Sequence, residues 1–104
     1  DDIKCKVVQI QEMLDLDAAQ SRRLAVMEMY KLFDFVLKQM GFGGGTMKER
    51  LEQGLKYEPT LQGMTRLYDL SHRLAGSKIA QVDDRQARQS LDQLRKALTT
   101  LHIL

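Results

Sequence analysis

The sequence predicts an all-α protein, an antiparallel bundle of four or five helices, and three observations carry that expectation. Apolar residues recur at helical spacing in five separate segments, and none alternates apolar with polar as a half-buried strand does. Glycine, proline and helix-capping residues fall between those segments. The chain has 104 residues, 43% hydrophobic and 29% charged, enough for one core and too apolar for a disordered chain. A single domain over 1–104 follows.

In the first segment, 3–14, Ile3, Val7, Ile10 and Leu14 form one stripe, with Lys4, Lys6, Gln11 and Glu12 off it. Asp17 followed by Gln20 has the form of an N-cap with a reciprocal partner, so the second helix is expected over 18–40. Its apolar residues, from Ala25 and Val26 through Met29, Phe33 and Val36 to Met40, cover an arc of about 160°. An arc so wide faces more than one neighbour and places this helix near the centre. Leu24, Met27 and Phe35 lie instead among Gln20, Arg23, Glu28, Lys31, Asp34 and Lys38, surplus to a simple core.

Gly41-Phe42-Gly43-Gly44-Gly45 ends the second helix, since glycine accepts a left-handed cap and a run of glycines forfeits helix propensity. Thr46 with Glu49 forms a capping box for a helix over 47–57, in which Met47, Leu51 and Leu55 recur, and Pro59 closes it. The next helix, 60–75, lines up Leu61, Met64, Leu67, Tyr68, Leu74 and Ala75 with Ser71 among them. Gly63 weakens it and Gly76 is its natural C-cap. Ile79 and Val82 are out of phase, so a connection runs near 77–83. Asp83 and Gln86 then cap a last helix, 84–101, with Ala87, Leu91, Leu94, Leu98 and Leu101 in 4-3-4-3 spacing.

Chemistry-bearing groups are scattered. Cys5 is the only cysteine, which excludes an internal disulfide and suits a reducing, cytoplasmic location. His102 has no ligand cluster around it, and Ser21, Ser71, Ser77 and Ser90 lack a nucleophile-elbow motif. The pairs Asp1-Asp2 and Asp83-Asp84 read as a terminus and a helix cap. The glycine run, near Thr46 and Lys48, lacks the preceding strand and residue order of a phosphate loop. No enzyme activity, cofactor, metal or small-molecule substrate is expected. No run approaches the roughly 20 apolar residues of a membrane span, and no signal-peptide pattern opens the chain. Its start at Asp1 rather than methionine suggests a piece of a longer protein.

Ser71-His72-Arg73-Leu74-Ala75-Gly76 resembles the His-x-x-Lys-Gly signature of histidine phosphotransfer domains, which are also helical bundles. The resemblance is confined to these six residues and implies a phosphoryl-accepting His72, although Ala75 stands where that family has its lysine.

A net charge of +2 creates no strong long-range field, but it is unevenly divided. Residues 1–60 hold nine basic and ten acidic side chains, and residues 61–104 hold seven and four. Arg66, Arg73, Arg85, Arg88, Arg95 and Lys96 therefore define an alternative role, nucleic-acid binding by a basic side of the last two helices. The principal expectation rests on the surplus apolar surface. Leu24, Met27 and Phe35, with Lys31 between them, are expected to form the contact site of a non-enzymatic interaction module. Its partner is another protein or a second copy of the chain. The six methionines suit an adaptable surface or an irregular core.

Overall fold

Helices form where the apolar stripes place them. A computed structural model describes residues 2–104, so Asp1, one member of the Asp1-Asp2 pair, lies outside the described residues. Helix α1 spans Asp2–Asp15, α2 Ala19–Gln39, α3 Met47–Tyr57, α4 Thr65–Ala75 and α5 Asp84–Thr100. A 3-10 helix over Pro59–Met64 leads into α4. No strand occurs among the described residues, and the protein is an all-α bundle.

The wide apolar arc of α2 has the consequence expected of it. Ala25, Val26, Met29, Leu32, Phe33, Val36 and Leu37 are all buried, and α2 packs against α1, α3, α4 and α5. Burial of a side chain such as Phe33 contributes about 1.5–3 kcal/mol. Val7, Ile10 and Leu14 of α1 and the spaced leucines of α5 complete one continuous cluster with Leu61, Met64, Leu67 and Leu74. Ala75, expected on the apolar side of α4, is exposed.

The helix ends show where local chemistry departs from pattern. Asp17 does not cap α2: the N-cap is Ala18, which offers no side-chain acceptor. Asp17 instead takes a left-handed conformation, φ 52°, its amide donates to the Leu14 carbonyl at 3.1 Å, and its carboxylate pairs with Arg22 at 3.3 Å. The three-residue turn from α1 to α2 needs one residue with positive φ, and aspartate, whose short polar side chain can hydrogen-bond locally, tolerates it better than Leu16 or Ala18 would. Thr46 and Asp83 do cap, accepting from the amides of Glu49 at 3.2 Å and Gln86 at 2.7 Å.

At the end of α2, Gly41 has φ 82°. The amides of Gly41 and Phe42 donate to the carbonyls of Lys38 and Leu37, a Schellman motif. The same motif ends α5, but His102, φ 62°, holds the left-handed position, with the amides of His102 and Ile103 donating to Thr99 and Leu98. Gly76 keeps a right-handed φ of −84°, so its conformational freedom is unused.

The helix expected from Thr60 begins as a 3-10 turn. Pro59 starts it, Glu58 accepts from the Thr60 amide, and the Thr65 hydroxyl donates to the Gln62 carbonyl at 2.6 Å where the α-helix takes over. Gly63 is more than a weak point: a Cβ there would overlap Oε1 of Gln93, so glycine lets this α5 side chain approach the 3-10 segment.

Candidate interaction surfaces

Leu24, Lys31 and Phe35 follow at steps of seven and four residues, two helical turns and one, and so share an outward stripe of α2. Leu24 is 51% exposed and Phe35 48% exposed, so neither belongs to the core. Lys31 is also exposed, 3.6 Å from Glu28, a surface ion pair worth a few tenths of a kcal/mol. Met27 is partly buried and packs against the core.

Beside this stripe a groove of about 260 Å³ runs between α1 and α2, with Ile10, Leu32 and Phe35 on its apolar side and Lys6, Glu28 and Lys31 as its charges. Two further exposed apolar residues belong to the same hairpin, Val8 at 52% and Leu16 at 69%. Neither stands out in the sequence. Val8 is a neighbour of the buried Val7, and Leu16 sits in the turn between two aspartates, so helical periodicity marks neither.

The six basic residues singled out for nucleic-acid binding do not share one face. Arg66, Arg73 and Lys96 line a cleft of about 1000 Å³ between α4 and α5. Arg88 and Arg95 lie on another flank of α5, against α1. Arg88 donates to the Leu14 carbonyl at 3.3 Å and pairs with Asp84 at 2.9 Å and Asp15 at 3.2 Å; Arg95 donates to Oε1 of Gln11 at 3.0 Å. The bonds to Asp84 and then Asp15 raise the Arg88 pKa above its ordinary value. Arg85 is exposed and outside the cleft lining.

His72 is exposed near the end of α4, its ring 4.2 Å from that of Tyr68 and 6.1 Å from that of Tyr30 between centroids. Burial first, and then the charge of Asp34, hold the Tyr30 pKa above its ordinary value of 10. Asp34 accepts two bonds from Arg50, from Nε at 2.7 Å and Nη2 at 3.0 Å, and this bidentate pair raises the Arg50 pKa. Arg50 also donates to the Gly44 carbonyl at 2.8 Å, which ties the glycine run to α2 through a carbonyl.

No hydrogen bond joins a serine hydroxyl to a histidine among the described residues, and no three His, Cys, Asp or Glu side chains there cluster as metal ligands. Ser71 Oγ, buried in the core face of α4, has no hydrogen-bond partner there. No helix among them is long and apolar enough to cross a membrane.

The residues whose roles sequence pattern hides most completely are Arg22 and Arg23. Arg23 donates to the carbonyls of Leu74, Ser77 and Ala80, the last two at 2.9 Å, and Arg22 donates to the carbonyl of Val82 at 3.2 Å. Two arginines of α2 thus hold the end of α4 and the connection beyond it, and the positive charge of Arg23 meets the negative end of the α4 dipole.

Compared with known proteins, the chain matches no family model, no curated protein and no solved structure.

Proposed function

We propose that this chain is a non-enzymatic helical interaction module that docks on another protein chain, or on a second copy of itself, through the outer face of the α1–α2 hairpin. One observation carries the reading: Leu24 and Phe35 stay half exposed on one stripe of the central helix, beside a groove with an apolar side. Isolated exposed apolar residues are ordinary, but a stripe bordering a groove matches the way an amphipathic partner helix is received. In such a contact the anchors of the partner meet Leu24 and Phe35. Lys6, Glu28 and Lys31 at the margin set its orientation.

Sedimentation equilibrium over a concentration range, on the wild type and on a Leu24→Glu/Phe35→Glu variant, tests the reading. A discrete oligomer is expected whose dissociation constant rises at least about ten-fold in the variant, while the melting transition is kept. A strict monomer would remove the second-copy form and leave the heterologous one. Loss of cooperative melting in the variant would place these side chains in the core and sink the site.

A further inference from the structure

Helices α4 and α5 scarcely touch each other, and the cleft between them is lined by glutamine, arginine, lysine and aspartate side chains together with Leu70. Gln86, Gln89 and Gln93 recur at steps of three and four along the α5 wall, which sets them in one row. Among the described residues none of these three side-chain amides is hydrogen-bonded. Each offers a donor and an acceptor, the same pair that a peptide group presents. Among the described residues Arg66 and Lys96, on opposite walls, have no ion-pair partner, and Arg73 makes a single bond, at 3.3 Å, to the Gln81 carbonyl.

We propose that the α4–α5 cleft binds an extended acidic peptide segment of a partner protein, its main chain on the row of glutamines and its carboxylates on Arg66, Arg73 and Lys96. The dimensions agree. Ten residues separate Gln86 from Lys96, a helical length of about 15 Å, which an extended peptide covers with four or five residues at about 3.3 Å each. The charge pattern selects peptide over nucleic acid. Asp69 and Asp92 also line the cleft and repel a continuous run of phosphates, whereas spaced carboxylates can meet the three cations between them. The lining contains no aromatic ring on which a base would stack. The missing Cβ of Gly63 accommodates the end of the Gln93 side chain in its observed place. This surface is separate from the α1–α2 hairpin, so either proposal can fail without the other.

The test is fluorescence anisotropy on the full chain with a fluorescein-labelled hexapeptide alternating glutamate and alanine. The comparison probes are the same peptide with lysine for glutamate and a short labelled oligothymidylate. Saturable binding of the acidic peptide is expected, with affinity at least about ten-fold lower for the lysine peptide and for the oligothymidylate. A similar loss is expected for the Arg66→Gln/Lys96→Gln variant and for the Gln89→Ala/Gln93→Ala variant, each with its melting transition unchanged. The Leu24→Glu/Phe35→Glu variant should bind as the wild type does. Absence of saturation by about 1 mM protein would overturn the proposal. So would equal binding of the oligothymidylate, or full binding by the glutamine variant, which would reduce the site to a diffuse charge.

Discussion

The α1–α2 hairpin and the α4–α5 pair are each two helices joined by one connection, yet the first closes and the second stays open. Three residues link α1 to α2, and the left-handed Asp17 turns the chain so that the two helices pack together. Eight residues link α4 to α5, and this longer link is not slack. Val82 is buried, the Ser77 hydroxyl accepts from the amides of Ile79 and Ala80, and Arg22 and Arg23 hold carbonyls along it. The difference lies in where the apolar stripes point. Both α4 and α5 direct theirs at α2 and the 3-10 segment, so the sides they turn toward each other carry mostly glutamine and charged side chains, Asp69 and Asp92 among them. Val8, Leu16, Leu24 and Phe35 stay exposed on the closed pair, whereas a cleft rich in glutamine and charged side chains separates the helices of the open one.

The largest effect that would break this contrast is expected at Arg23. Arg23→Ala leaves the Leu74, Ser77 and Ala80 carbonyls without their charged donor and should lower stability by about 2–3 kcal/mol, read by thermal or urea unfolding. Arg23→Lys should recover less than half of that, since a point charge cannot serve several acceptors as a planar fork does. An unchanged midpoint in the alanine variant would show that the link holds its shape without the clamp.

A smaller gain in stability sharpens the comparison at the far ends of the two units. Alpha2 ends in a Schellman motif with glycine in the left-handed position, whereas α5 ends in the same motif with His102 there. His102→Gly should raise stability by about 0.5–1 kcal/mol by removing a strained φ, visible as a higher melting temperature. A lower one would mean that the imidazole makes a compensating contact.

The smallest effect is a pH dependence. Tyr30 faces α4 from α2, and its folded pKa lies above 10 because of burial and the nearby Asp34. The native state therefore holds this proton more tightly than the unfolded chain does. The contribution is constant below pH 10 and is lost as pH rises through the folded value. Tyr30→Phe should flatten that alkaline slope in denaturation curves recorded at successive pH values. An identical slope would assign it to other groups.

The parts legible in the sequence are those that repeat. The 4-3-4-3 leucines of α5, the wide arc of α2 and the caps at Thr46 and Asp83 are periodic or strictly local, and each stands where its spacing puts it. Leu24 and Phe35 could be singled out because they interrupt a polar face. Met27 could not be separated from them, since its degree of burial depends on what neighbouring helices cover. The clamp of Arg23 was hidden because its acceptors are backbone carbonyls more than fifty residues away, which carry no side-chain signature. The glutamine row was hidden for a related reason. Three uncharged polar residues on one helix are unremarkable until the opposite wall of the cleft is known.

The seam between the first and last helices also bears on the order in which the bundle is built. Arg88 reaches the Leu14 carbonyl across 74 residues of chain, and Arg95 reaches Gln11 across 84, whereas the turn between α1 and α2 closes over three. Loop-closure entropy grows with the logarithm of loop length, and contacts between distant residues stabilise the chain only once that cost has been met. In kinetic terms the α1–α2 hairpin is the local unit, available early, and the α1–α5 seam is the long-range contact that closes the bundle around it.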